Sequence, residues 1–287
     1  MNNYVILTDS SCDLSKELAT ELGVSMLSLE ILFEDGTTKR NDEVDVKEFY
    51  QKLRGKQKIT TSAVSIERFS NFFEPYLAAG TDVLYLGFSS GLSGTFNAGF
   101  VASNELAEKY PDRKIYAVDT LCASLGQGLL VYLCAKMQQN GATIDEVHDY
   151  AESTKQSVVH WFTVDDLFFL KRGGRVNAAT AVMGTMLSIK PVMHVDYKGK
   201  LINVSKARGR KAAMDELINR MKSTVTEPEK QTCFICHGDC IEDANYVAER
   251  MKKELGVPEV MIDYTGPVIG AHSGPGTLAV FYLGTER

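Results

Sequence analysis

Three apolar runs in the first half of this chain each end in small hydroxyl or acidic residues and then lead into a helix pattern. Residues 4–8 end in Asp9-Ser10-Ser11. Residues 83–88 end in Ser89-Ser90-Gly91-Leu92-Ser93-Gly94-Thr95. Residues 114–118 end in Asp119-Thr120. A strand–turn–helix unit repeated in this way predicts a largely parallel sheet with helices on both faces. Ligands of such sheets bind beyond the carboxyl ends of the strands, so three hydroxyl-rich strand ends on one edge predict one site. The second turn is the most informative. The first turn of the helix that follows it, predicted over 96–110, has unpartnered N–H groups and partial positive charge. Glycines let a ligand approach that backbone, hydroxyls add donors, and the result is an anion-binding corner.

The remaining pattern fills in an α/β chain. Asp13 or Ser15 caps a helix running to Leu22, and residues 24–33 read as a second strand. Asp35-Gly36 turns into a short strand at 37–40, Asp45 opens a helix to Leu53, and residues 60–65 read as a polar turn before a helix capped by Ser65. Helices are predicted at 125–139 and 144–156. The texture changes after Ser157. A strand at 158–164 precedes a short helix, capped by Asp165 and ending at Lys171-Arg172-Gly173-Gly174-Arg175. A small-residue helix is predicted at 178–187, and an antiparallel pair at 189–195 and 201–205 around Lys198-Gly199. A helix at 210–223, a strand–helix–strand unit (231–236, 241–255, 259–262) and a last strand at 277–283 complete a mixed sheet. A Gly/Pro-dense loop at 266–276 carries His272. These patterns predict two tightly packed α/β domains, 1–157 and 158–287.

Composition narrows the function classes. The 287 residues carry a net charge of −6, which argues against nucleic acid as a partner, because phosphate binding needs a basic face. No apolar run reaches the length of a membrane span. The chain enters a strand directly after Met1-Asn2-Asn3, so a cytoplasmic location is expected. Cys233-Phe234-Ile235-Cys236-His237 matches the pattern for covalent haem attachment, and Cys240 offers a further metal ligand. On a strand, however, Cys233 and Cys236 point to opposite faces, and core packing is the reading adopted. Neither a Walker pattern nor a dinucleotide fingerprint is present, so no cofactor is expected and no metal is assigned.

Several residues could carry chemistry. Gly91-Leu92-Ser93-Gly94-Thr95 approaches a nucleophile elbow, but threonine stands where glycine is required. A serine esterase using Ser93 and His272 is therefore one alternative. His272 stands among small residues, where an idle imidazole is out of place, and His237-Gly238 is a weaker candidate. Arg172-Gly173-Gly174-Arg175 reads either as an anion site or as a helix C-cap facing the dipole. Lys206, Arg208, Arg210 and Lys211 form a basic cluster that is either a solvated helix start or a dock for an acidic partner.

The order of motifs resembles the DegV family of bacterial fatty-acid-binding proteins. The motifs are Thr8-Asp9-Ser10, Thr61-Ser62-x-x-Ser65, Leu92-Ser93-Gly94-Thr95-Phe96, Asp119-Thr120, Leu170-Lys171-Arg172-Gly173-Gly174-Arg175, Lys190-Pro191 and Gly270-Ala271-His272-Ser273-Gly274-Pro275-Gly276. They run from about residue 4 to residue 283. The resemblance implies a long-chain fatty acid lodged between two α/β domains, with no catalysis by this chain. It implies a carboxylate held by Thr61 and Ser93, with Ser62, Gly94, His272 and Arg172 around it. It further implies presentation of the fatty acid to an acyl kinase for phospholipid synthesis, with Arg208 as a docking residue. A lipid sensor with another partner is the remaining alternative. The family often has proline before the last serine of its Thr-Ser-x-x-Ser motif; here that residue is Val64.

Overall fold

The computed structural model describes residues 3–176 and 188–285; the helix expected at 178–187 lies outside them. The first sheet is parallel throughout, in the order β2 (Ser25–Leu27), β1 (Tyr4–Asp9), β6 (Asp82–Gly87), β7 (Ile115–Asp119). Its strands are near-continuous apolar runs because both faces are covered. One face packs against α3 (Ile66–Ala78) and α4 (Thr95–Lys109), where the rings of Phe69, Phe73 and Phe96 surround Tyr85. The other face packs against α5 (Leu125–Gln139).

A second sheet has six strands, in the order β10 (Leu201–Arg208), β9 (Ile189–Val195), β8 (Val158–Thr163), β13 (Leu278–Leu283), β11 (Thr232–His237), β12 (Glu259–Tyr264). Only β11 and β12 run parallel, so the expected mixed sheet is present. Its outer face is covered by the helices Arg210–Thr224 and Ile241–Leu255. Its inner face meets α5. That helix is apolar nearly all round, as a helix between two sheets must be. Cys233 joins the outer core and Cys236 the inner one, on opposite faces of β11 as the alternation requires.

Three expectations are corrected. Residues 24–33 form two strands rather than one. At the break, Leu29 N donates to Ser10 Oγ at 2.9 Å and the Arg68 guanidinium donates to Ser28 O at 2.6 Å, which interrupts the ladder. The chain then joins a small antiparallel sheet of β4 (Thr38–Arg40), β3 (Glu30–Leu32) and β5 (Thr60–Ser62). Thr60 to Ser62 is therefore an edge strand, not a turn, and Thr61 stands opposite Ile31. The Gly/Pro-dense loop is in fact a helix, Pro267–Ser273, with Gly266 as N-cap and Pro267 pre-organised in its first turn. Gly270 serves close packing there: a Cβ would lie 2.7 Å from the Tyr50 hydroxyl oxygen. Smaller shifts also occur. Ser15 caps the first helix, and Asp166 rather than Asp165 caps α7 (Leu167–Arg172).

Candidate functional site

The three hydroxyl-rich strand ends do converge, and hydrogen bonds tie them together. Thr8 Oγ1 donates to Leu86 O at 2.7 Å, Thr120 Oγ1 to Gly87 O at 2.7 Å, and Ser90 N to Asp119 Oδ1 at 3.2 Å. The acidic residues brace the backbone rather than face a ligand. Asp9 is fully buried and accepts from Tyr85 Oη, Phe88 N, Ser11 N and Gln127 Nε2. Burial raises its pKa despite those donors. The turn after β6 also touches the second sheet. Ser89 Oγ donates to Gly199 O at 2.8 Å, and a Cβ on Gly91 would lie 2.5 Å from Lys198 O.

Between the two large sheets, beyond these strand ends, lies a cavity of about 190 Å³. Thr61, Ser62, Ser93, Gly94 and His272 all line it, so residues from three segments meet there. The small sheet supplies Thr61 and Ser62, the start of α4 supplies Ser93 and Gly94, and the helix Pro267–Ser273 supplies His272. Much of the remaining wall is apolar, including Leu29, Phe88, Phe162, Leu170, Val268 and Phe281.

At the polar end, Thr61 Oγ1 lies 2.8 Å from His272 Nε2. Ser93 Oγ lies 3.0 Å from Thr95 Oγ1 and accepts from Thr95 N at 3.2 Å. His272 is thus paired with Thr61 and not with Ser93. The His272 pKa is lowered to about 4, first by burial, then by the positive charges of Arg175 and Arg172. The imidazole is therefore neutral near pH 7. Gly173 permits its position: a Cβ there would lie 2.4 Å from His272 Nδ1.

Arg175, which the sequence reading did not single out, lines the cavity, whereas Arg172 does not. Arg172 lies over the Phe169 ring, 4.9 Å from its centroid. Arg175 donates through Nε to Leu92 O at 3.2 Å and also bonds Gly173 O, which fixes the guanidinium beside the α4 opening. Burial lowers its pKa, as expected for a desolvated cation with no carboxylate paired to it among the described residues. The motif Arg172-Gly173-Gly174-Arg175 contained this signal, but nothing in the sequence separates an arginine capping a helix from one just past the cap.

The other candidates have structural partners. His237 Nδ1 accepts from Cys240 N at 3.2 Å, and Arg210 pairs with Asp243 and Asp165. Arg208 is exposed at the end of the edge strand β10 and has no ion pair with the described residues. Among the described residues no three His, Cys, Asp or Glu side chains group as metal ligands, and no helix is long and apolar enough to cross a membrane.

Comparison with known proteins agrees with this architecture along the whole chain. The family described as "Uncharacterised protein, DegV family" matches residues 3–285. A DegV domain-containing protein of Clostridium perfringens is 45% identical over 291 residues, covering 100% of this chain and 99% of the relative. Among solved structures, a DegV lipid-binding protein from Thermotoga maritima is 30% identical with a TM-score of 0.85, covering 99% of both chains. A Thermus thermophilus DegV family protein, described as binding fatty acid, is 29% identical with a TM-score of 0.87, covering 99% of this chain and 100% of its own. By sequence and by fold, this chain belongs to the DegV family.

Proposed function

We propose that this chain is a non-enzymatic carrier of a long-chain fatty acid. The observation that carries the reading is an apolar cavity whose one end gathers Thr61, His272, Ser93 and Arg175. An ionised carboxylate is costly to bury unless donors replace its water. The Thr61 and Ser93 hydroxyls, the amides at the Gly94 opening of α4 and the Arg175 guanidinium are such donors. A neutral His272 orients Thr61 while leaving the positive charge to Arg175. Ser62, whose hydroxyl donates to Glu30 at 3.3 Å, completes the rim.

The rest of the cavity receives the acyl chain. Each buried CH2 contributes about 0.8 kcal/mol, so a long chain gains on the order of 10 kcal/mol before ordering costs are subtracted. Slow release and co-purification follow. Solved relatives support the reading: DegV from Bacillus subtilis, 28% identical with a TM-score of 0.85, is described as a fatty acid binding protein.

The carrier reading extends to a cytoplasmic protein of two domains, 1–157 and 158–287, with the ligand between them. Its partner is an acyl kinase that phosphorylates the carboxylate for phospholipid synthesis, and Arg208 on the exposed edge strand is the docking contact. Equilibrium binding of a fluorescent fatty acid to the protein and to Thr61→Val/Ser93→Ala tests the head-group site. The reading requires the double variant to stay folded and lose most of its affinity. Undiminished binding by that variant would overturn the assignment.

A further inference from the structure

The helix Pro267–Ser273 turns more than His272 toward the cavity. Val268, Ile269, His272 and Ser273 all line it. Positions one, four and five apart lie on one face of a helix, so this face forms a continuous part of the wall. Adjacent Cα atoms are about 3.8 Å apart, which puts Ser273 at the same end of the cavity as His272. The helix end is also held in place. Gly274 closes it at a φ of 80°, and packs so closely on Phe169 that a Cβ would lie 2.5 Å from the ring.

Ser273 is 5% exposed, and its Oγ has no hydrogen-bond partner among the described residues. Other hydroxyls of the same wall have spent their protons on the fold. Ser62 donates to Glu30 at 3.3 Å, Ser124 to Asp13 at 2.5 Å, and Thr277 Oγ1 to Gly274 O at 2.8 Å. A buried hydroxyl left unpaired is a net cost to the fold. On the wall of a cavity it is ready for whatever the cavity receives.

Proton accounting shows why this donor matters. A hydroxyl has one proton to give. Thr61 can give its proton to a ligand only when His272 Nε2 carries the N–H and donates to Thr61 Oγ1 across their 2.8 Å contact. In the other tautomer Thr61 spends that proton on the imidazole. Ser93 can donate to a ligand only when Thr95 Oγ1, 3.0 Å away, donates to Ser93. The Ser273 proton carries no such commitment among the described residues. A carboxylate offers about four lone-pair sites on its two oxygens, and burial strips water from all of them. An uncommitted donor at the end of the cavity that holds His272 fits that demand.

We propose that Ser273 is a further carboxylate-binding residue, donating its hydroxyl to the fatty-acid head group together with Thr61 and Ser93. This rests on the fatty-acid reading given above. It adds that the helix Pro267–Ser273 recognises the carboxylate directly, not only through the contact of His272 with Thr61.

The test titrates palmitate and hexadecanol into delipidated wild-type protein, Ser273→Ala and Ser273→Cys. The alanine variant deletes the hydroxyl; the cysteine variant keeps its volume and leaves only a weak donor. Both should bind palmitate about tenfold more weakly, because hydrogen bonds to charged groups are the stronger kind. Hexadecanol, which is uncharged, should lose about threefold or less. Ligand-free Ser273→Ala should melt at or above the wild-type temperature, since no bond within the fold is removed. Palmitate affinity within threefold of wild type in Ser273→Ala overturns the proposal. A loss that the cysteine variant restores overturns it too, because shape rather than a hydrogen bond would then be at stake. A melting temperature well below wild type, with equal losses for palmitate and hexadecanol, would show a structural hydrogen bond and equally overturn it. If wild-type protein binds no palmitate, the carrier reading fails and this inference fails with it. If wild type binds and Ser273→Ala binds as well, the carrier reading stands and this inference alone is wrong.

Discussion

The Thr61 hydroxyl and His272 Nε2 meet at 2.8 Å although 211 residues separate them in the chain. A three-residue edge strand and a seven-residue helix bring them together, each supplying one wall of the cavity. Removing one partner leaves the other half-buried without its mate. Thr61→Val keeps the shape and deletes the hydroxyl. It should weaken fatty-acid binding about tenfold or more, since hydrogen bonds to charged groups contribute about 1.5–3 kcal/mol. Titration with the protein's circular dichroism unchanged is the check; affinity within threefold of wild type would remove Thr61 from the head-group site.

Gly173 is required by contact rather than by backbone freedom. A Cβ there would lie 2.4 Å from His272 Nδ1, so Gly173→Ala must displace the imidazole. The expected result is a loss of about 1–3 kcal/mol in stability together with weaker fatty-acid binding. Denaturant melts and ligand titration of the same preparation measure both. An alanine variant as stable and as tight as wild type would show that the ring is not held where Gly173 allows it.

The two arginines of Arg172-Gly173-Gly174-Arg175 should separate cleanly. Arg175 lines the cavity and Arg172 lies over Phe169. Arg175→Gln is expected to weaken carboxylate binding at least tenfold and Arg172→Gln much less, because a desolvated cation interacts more strongly with a charge than one nearer solvent. Titrations with a fatty acid and with the matching fatty alcohol give the readout. Arg175→Gln should erase most of the preference for the acid. Equal effects from both substitutions would contradict the placement.

His272 gives the protein a pH dependence of known sign. The folded imidazole titrates at about 4, held down first by burial and then by Arg175 and Arg172, whereas an unfolded histidine titrates near 6.5. Between those values the unfolded chain binds a proton that the folded chain refuses. The contribution of His272 to stability is therefore complete above about pH 6.5 and is lost as the pH falls toward about 4. Melting temperatures of wild type and His272→Asn across this window should converge on acidification. Parallel curves would mean that the ring titrates in the fold as it does in the unfolded chain.

Arg208 tests the partner. It is exposed on the edge strand β10, away from the residues that line the cavity. Arg208→Glu should reduce acyl-phosphate formation by an added acyl kinase about tenfold or more, since charge reversal at an interface costs contacts and adds repulsion. Fatty-acid affinity of the same variant should stay at the wild-type value. Normal kinase turnover with Arg208→Glu would place docking elsewhere.

Much of this fold is legible in the sequence because its main elements carry strong periodic signals. The apolar strands at 83–88 and 231–236 and the helices at 125–139 and 241–255 fall close to where the pattern puts them. The turn from Ser89 to Thr95 also falls where the pattern puts it, between a buried strand and a helix, and its Leu92, Ser93 and Gly94 line the cavity. What escapes is set by contacts from far along the chain. The break at Ser28 depends on Ser10 and Arg68, neither visible in the local pattern. The glycines at 270 and 274 look like loop residues, yet they let a helix press against Tyr50 and Phe169.

The most direct test of the account is native mass spectrometry of the protein beside Thr61→Val/Ser93→Ala, followed by mass analysis of the organic extract of each. The account predicts one long-chain fatty acid per wild-type chain and little or none in the folded double variant. Equal lipid in both, or wild-type protein that carries no fatty acid and takes up none when it is supplied, would contradict it.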